Sequence, residues 1–253
     1  MALLEVHDLT KHFGGLTAND GISCAVESGE LVGVIGPNGA GKTTLFNCIA
    51  GMQTIDTGRV IFDGHDVTRM KAHDISRLGL ARTFQITTPA GDLNVLESVM
   101  VGCFLRTRST RQARTRAEAT LEDLGLRGVA RQQMSELPVA AQKQVSMATA
   151  VATAPRLLLL DEVAAGLNPS EVEEVMKTIR HVHYDLGITV MLIEHVMEMV
   201  MNLSHRVIVL DYGRKIAEDE PRSIVRNPEV IKAYLGERYA REHAGELGIG
   251  DER

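Results

Sequence analysis

Cysteine is scarce in this chain: Cys24, Cys48 and Cys103 are scattered through 253 residues without a CxxC pair. That spacing excludes a disulfide framework and a zinc site, and it points to a reducing, cytosolic compartment. No apolar run approaches the roughly 20 residues needed to cross a bilayer, and the N-terminus reads without a basic-then-apolar leader. Any membrane role is therefore expected to run through partner chains. Positive charge is also in deficit, with 27 Lys and Arg against 33 Asp and Glu and a net charge of −6. That balance argues against a nucleic-acid coat, and no nucleic-acid partner is expected. One stretch departs from it: Arg106, Arg108, Arg111, Arg114 and Arg116 precede the next acid, Glu118. It reads as the solvated face of a helix, or alternatively as a surface near anionic headgroups or an acidic partner. Internal repeats and low-complexity tracts are absent from the sequence.

What remains is an ordinary globular composition, 44% hydrophobic and 24% charged, enough for one large domain or a core with a subdomain. Leu31 to Ile35, Leu157 to Asp161, Thr189 to Ile193 and Arg206 to Leu210 are nearly continuous apolar runs separated by helical patterns. Such runs predict parallel strands buried on both faces, in an α/β fold. Leu3 to Leu9, Gly21 to Glu27 and Arg59 to Asp63 alternate partly and suit an antiparallel sheet at one edge. Between Ile86 and Ala154 the strand signal gives way to helical patterns over Val95 to Leu105, Arg111 to Leu124 and Ala140 to Ala152. The expected division is a core over 1–85 and 155–235, a helical insertion over 86–154, and a fraying tail over 236–253. Pro221 and Pro228 each stand where a short helix begins.

Two motifs carry chemistry. Gly36-Pro37-Asn38-Gly39-Ala40-Gly41-Lys42-Thr43-Thr44 follows the first apolar strand and precedes a helix-forming run, Leu45 to Ala50. Small residues let the backbone wrap around phosphates, so that N–H groups from Gly39 to Thr44 point at negative charge. Lys42 is expected to reach the β- and γ-phosphates of ATP, and the Thr43 hydroxyl to face Mg²⁺. Far downstream, four leucines end in Asp161-Glu162, a buried strand delivering carboxylates. The first suits Mg²⁺ and the second suits polarising a water for in-line attack on the γ-phosphate. Gln85, in Ala81-Arg82-Thr83-Phe84-Gln85, and His195, after Ile193-Glu194, stand at spacings that complete a hydrolytic set. Alone, a Gln or a His would read as a surface or core residue.

Together these residues resemble the nucleotide-binding subunit of ABC transporters over essentially the whole chain. The resemblance implies a P-loop NTPase core with a mainly parallel sheet, an antiparallel β subdomain and a helical subdomain. It also implies that Phe13 stacks on adenine and that Gln85, with Thr43 and Asp161, lies near Mg²⁺. Glu162 then matches the catalytic glutamate, His195 the switch histidine, and Ala165-Gly166-Leu167-Asn168 the D-loop that couples two facing subunits. Phe13-Gly14-Gly15-Leu16, Phe46-Asn47-Cys48, Ala81-Arg82-Thr83-Phe84-Gln85, Ala164-Ala165-Gly166-Leu167-Asn168-Pro169 and the ending Asn227-Pro228-Glu229-Val230 to Gly236 are similar to the branched-chain amino-acid importer branch. Branches for urea or amide import and lipopolysaccharide export share parts of this wording. The implied setting is the cytoplasmic face of the cell membrane. The implied partners are membrane permease subunits, a second ATPase subunit and, indirectly, an external solute-binding protein.

The departure from the family lies in the signature loop, normally LSGGQ or a near variant. Leu137 matches, but Pro138 replaces serine, Val139 and Ala140 replace the glycines, and Ala141 ends the loop. In the family this loop meets the γ-phosphate held by the opposite subunit. Pro138 supplies neither hydroxyl nor N–H, and a Cβ at Ala140 hinders close approach. Losing two charge-assisted hydrogen bonds would cost roughly 3–6 kcal/mol, about 10²–10⁴-fold in rate. Thr149, where the family commonly has arginine, and Val163, where proline usually follows the acidic pair, are weaker departures. The second subunit is therefore expected to be a different chain, otherwise a homodimer. A weakly hydrolytic regulatory or assembly subunit is the alternative.

Overall fold

The computed structural model describes residues 2–83 and 93–234. In chain order the elements are β1 (Ala2–Phe13), β2 (Leu16–Glu27), β3 (Leu31–Ile35), α1 (Lys42–Ile49), β4 (Thr57–Phe62), β5 (His65–Asp66), α2 (Ala72–Leu78), β6 (Leu80–Arg82) and α3 (Val95–Cys103). There follow α4 (Thr110–Asp123), α5 (Val139–Val151), β7 (Leu157–Asp161), α6 (Pro169–Arg180), β8 (Thr189–Ile193), α7 (Met197–Leu203), β9 (Arg206–Asp211), β10 (Arg214–Asp219) and α8 (Pro221–Ile224). Residues 228–234 are also helical, beginning at Pro228.

The four apolar runs predicted as buried strands are β3, β7, β8 and β9, and they form the centre of a sheet ordered β10-β9-β3-β8-β7-β6. Every pair in it is parallel except β10 with β9. Alternation along β7 shows why the run is continuously apolar. Leu157 and Leu159 pack with α1 residues Leu45, Phe46 and Ile49 on one face, while Leu158 and Leu160 pack with α5 and α6 on the other. The antiparallel strands form a sheet of their own, β2-β1-β4-β5. Its inward residues Leu4, Val6, Leu9 and Ile22 cover the far side of α1.

Helices α3, α4 and α5 build a separate apolar cluster around Val95, Val99, Ala117, Leu121 and Val145. Helix α5 belongs to both layers, since Met147, Ala150 and Val151 face the sheet while Val145, Ala148 and Ala152 face the helices. Asn94 opens α3 with a capping box to Glu97. The structure divides the basic stretch that the sequence reads as one surface. The Arg106 guanidinium donates to the carbonyls of Thr153 (2.7 Å), Arg77 (2.8 Å) and Ala154. It caps the carbonyls that follow α5, a place that favours cations. Arg108, Arg111, Arg114 and Arg116 stay exposed.

Parallel pairing lays the C-terminal ends of β7, β8 and β3 side by side. The crevice outside the carboxyl ends of such strands is where α/β sheets bind ligands. Here those ends deliver the phosphate loop, the acidic pair and His195.

Candidate active site

The phosphate loop takes a shape that only its glycines allow. Gly36 has φ +151 and a Cβ there would lie 2.1 Å from the Leu210 carbonyl oxygen. Gly41 has φ +96, caps α1 in the left-handed region, and a Cβ there would lie 2.2 Å from the Ala18 carbonyl oxygen. The loop is thus wedged between β2 and the end of β9, and α1 begins at Lys42 with no side-chain cap. Its first-turn N–H groups, Thr43 and Thr44 included, are left for an anion. Gly39, at φ +82, has open space where its Cβ would stand. Lys42 is buried and donates from Nζ to the carbonyls of Gly36 (2.8 Å) and Pro37 (3.0 Å). Burial lowers its pKa against the opposing charges of Glu162 and Asp161.

A cleft of about 400 Å³ opens over this loop, lined by Phe13, Leu16, Asn38, Gly39 to Thr44, Glu162 and Tyr212, among others. Phe13 is 46% exposed, and the Lys11 ammonium lies 5.3 Å from its ring centroid. Tyr212, which the sequence reading passes over, stands in the turn between β9 and β10 with φ +42 and 87% of its surface exposed. A positive φ at a bulky residue carries strain. The turn is pinned to the phosphate loop by Gly213 N–H donating to Ala40 O (3.1 Å) and to β2 by Asp20 N–H donating to Gly213 O (2.8 Å).

Behind the cleft the two carboxylates divide. Asp161 is buried, and its Oδ2 accepts from Arg82 Nη2 at 2.7 Å. The same guanidinium donates to Asn47 Oδ1 on α1, so Arg82 ties the phosphate-loop helix to the acidic strand. Burial raises the Asp161 pKa, with the Arg82 bond opposing. Asp161 Oδ1 is buried and has no partner among the described residues. Glu162 lies in the left-handed region, φ +49, with its N–H donating to Ile193 O at 2.9 Å. Its Oε1 meets His195 Nε2 at 2.9 Å. An ionised carboxylate only accepts, so the ring N–H donates in this pair when Glu162 carries its charge. Gln85 and Phe84 lie outside the described residues.

The signature-loop residues Leu137 to Ala141 and Ala165 to Asn168 do not line this cleft. Leu137 is buried in the helical cluster, and Pro138 takes the cap position of α5, φ −57 and ψ 152, without a side-chain cap bond. Val139 is 57% exposed, Ala140 and Ala141 are half-buried, and α5 begins at Val139. Ala165 and Gly166 form an exposed turn, with Gly166 at φ +78. Leu167 is half-buried against the core, and Asn168 caps α6 through a capping box with Glu171. Thr149 donates to Val145 O at 2.9 Å, and Val163 is core.

A glycine loop running from a buried parallel strand into a helix, faced by a buried aspartate and a histidine-bound glutamate, defines a P-loop NTPase. Residues 19–165 match the family described as ABC transporter, and residues 214–240 match the one described as branched-chain amino acid ATP-binding cassette transporter. The chain belongs to the ABC transporter ATP-binding family and is an ATPase whose hydrolysis is coupled to transport. It is 38% identical over 250 residues to the high-affinity branched-chain amino acid transport ATP-binding protein BraF of Pseudomonas aeruginosa, covering 93% of this chain and 98% of that one. Identity and coverage are the same for LivG, of the same description, from Escherichia coli K12. A probable LivG of Archaeoglobus fulgidus is 32% identical over 98% of this chain and all of its own length. Among solved structures, a nucleotide-free ATP-binding cassette from an ABC transporter superposes with a TM-score of 0.85 at 30% identity, over 94% of this chain and 100% of that one.

Proposed function

We propose that this chain powers uptake of branched-chain or closely related amino acids through separate permease subunits, at the cytoplasmic face of the membrane. The solute reading is supported by the names of the relatives. Among the described residues no helix is long and apolar enough to cross a membrane, which fits a peripheral subunit. The helical layer built by α3, α4 and α5, together with Gln85, is the proposed contact with the permease.

The observation that carries the catalytic reading is Glu162, on the cleft wall opposite Lys42, bound to His195 at 2.9 Å. Phe13 stacks on the base, and N–H groups from Gly39 to Thr44 cradle the phosphates. Lys42 turns from the Gly36 and Pro37 carbonyls to the β- and γ-phosphates. Glu162 takes a proton from the attacking water while the oxygen adds to the γ-phosphorus. The bond to the bridging oxygen then breaks and ADP leaves. His195 orients Glu162 and contacts the γ-phosphate. The oxygen donors of Thr43, Gln85 and Asp161, with an Asp161 Oδ1 that has no partner among the described residues, fit Mg²⁺. When bound, the ion neutralises charge on the phosphates.

The Pro138 to Ala141 loop supports an asymmetric pair. ATP held by Lys42 and Glu162 of this chain is turned over against a different subunit's intact signature loop. ATP held by that subunit faces Pro138 and mainly holds the dimer closed. Steady-state ATPase activity of the purified chain, with Glu162→Gln as the blank, tests this reading. Negligible turnover alone, restored by the companion subunit and abolished by Glu162→Gln, is expected. Full turnover of the chain alone would favour a homodimer. Equal loss of transport on removing the catalytic glutamate from either subunit would sink the asymmetry.

A further inference from the structure

The turn that follows Glu162 is held between two charges that no motif names, a half-buried lysine and a buried glutamate. Lys143, on the second turn of α5, donates from Nζ to the carbonyl of Glu162 at 3.2 Å and to the carbonyl of Ala165. From the other side the Glu194 carboxylate, 1% exposed, accepts the N–H of Ala164 at 2.7 Å and that of its own neighbour His195 at 3.2 Å. Residues 162–165 thus have a cation on their carbonyls and an anion on an amide. The clamp closes on a backbone that needs it, because Glu162 sits at φ +49, a conformation that is strained for a non-glycine residue. The Val163 side chain is buried between the two contacts.

We propose that Lys143 is a positioning residue for Glu162, and that it couples the signature helix of this chain to its own hydrolytic site. This rests on the reading of Glu162 as the base. Helix α5 starts at the loop that faces the opposite subunit's nucleotide, and Lys143 is its cationic link to the acidic turn. A shift of α5 on dimer closure therefore moves the Glu162 and Ala165 carbonyls with it, and His195 follows through Glu194. Carbonyl acceptors demand a cationic donor of this reach and not a particular residue. Arginine at 143 thus preserves the device, and methionine, of similar length, removes only the charge-assisted bonds.

Lys143→Met and Lys143→Arg are compared with the wild-type full chain by amide hydrogen exchange, and by turnover against MgATP concentration together with the companion subunit. In Lys143→Met, exchange over residues 162–166 is expected to rise about tenfold or more, the equivalent of one charge-assisted hydrogen bond. A similar fall in kcat at unchanged KM should accompany it, and Lys143→Arg should restore both. Wild-type exchange and kcat in Lys143→Met would overturn the proposal. So would acceleration spread over the whole chain and not rescued by arginine, which marks a general packing role. If the wild type itself turns over no ATP, the hydrolytic reading fails, and the exchange experiment alone decides whether Lys143 holds the turn.

Discussion

Two helix N-termini in this chain face opposite fates. Both α1 and α5 begin without a side-chain cap, so both keep first-turn N–H groups and a positive dipole end for an anion. At α1 the preceding residues are glycines at φ +82 and +96, and the backbone wraps until the N–H groups converge on open space. At α5 the preceding residue is Pro138, with no N–H of its own and an exposed valine beside it. The dipole needs no particular side chain and survives in both, whereas the close fit around a phosphate depends on glycine and serine and survives only in α1.

The largest expected effect breaks the intact side. Lys42→Ala removes two charge-assisted bonds to phosphate, and nucleotide affinity should fall by roughly 10²–10⁴-fold in equilibrium titration with a fluorescent ATP analogue. An unchanged affinity would show that the loop N–H groups alone hold the nucleotide.

Repairing the weak side comes next. Pro138→Ser with Ala140→Gly returns one hydroxyl and one open backbone position, so turnover of the chain by itself should rise about 10–10²-fold. A serine cap should also favour α5 by about 1 kcal/mol, offset by a similar cost of Ala140→Gly within the helix, so the thermal midpoint of the double variant should stay close to wild type. With the companion subunit present, turnover at this chain's own phosphate loop should not change. A gain there as well would mean that the two composite sites are not divided as proposed.

A smaller effect is expected at the cleft mouth. Phe13→Ala and Tyr212→Ala should each weaken ATP binding by about two- to tenfold, the range for one aromatic contact, while tripolyphosphate binding stays unchanged. If Tyr212→Ala leaves ATP affinity intact, the strained tyrosine contributes nothing to the base.

Legibility followed the same physical line. Leu157 to Leu160 could be read as a strand because burial on both faces leaves no polar position, and the phosphate loop because its chemistry fixes residue types at fixed spacing. Strand β6 has three residues, and β10, Arg214 to Asp219, is a polar edge that offers no period. Tyr212 follows no spacing rule, since a turn brings it to the cleft. Lys143 was hidden because its partners are main-chain carbonyls, which leave no trace in residue identity. Arg82 was visible only as part of a phrase, and its partner Asp161 is reached across the sheet by the β6–β7 pairing.

The smallest expected effect compares the two regions by pH. On the phosphate side, burial lowers the Lys42 pKa. The native state there holds its proton less tightly than the unfolded chain, and stability from this group rises with pH only in the alkaline range. On the acidic turn, burial raises the Glu194 carboxyl, with the Ala164 and His195 N–H groups and Lys143 opposing. The native state here binds the proton more tightly, so the contribution is full below the ordinary carboxylate pKa and is lost as pH rises through the raised value. Glu194→Gln removes that dependence. Relative to this variant, the wild type should therefore lose stability as pH rises from the acid range toward neutrality, measured as denaturant midpoints of both proteins across that window. A difference constant with pH would mean that the clamp's two N–H donors and Lys143 fully offset the burial of the charge, leaving the turn as well satisfied ionised as neutral.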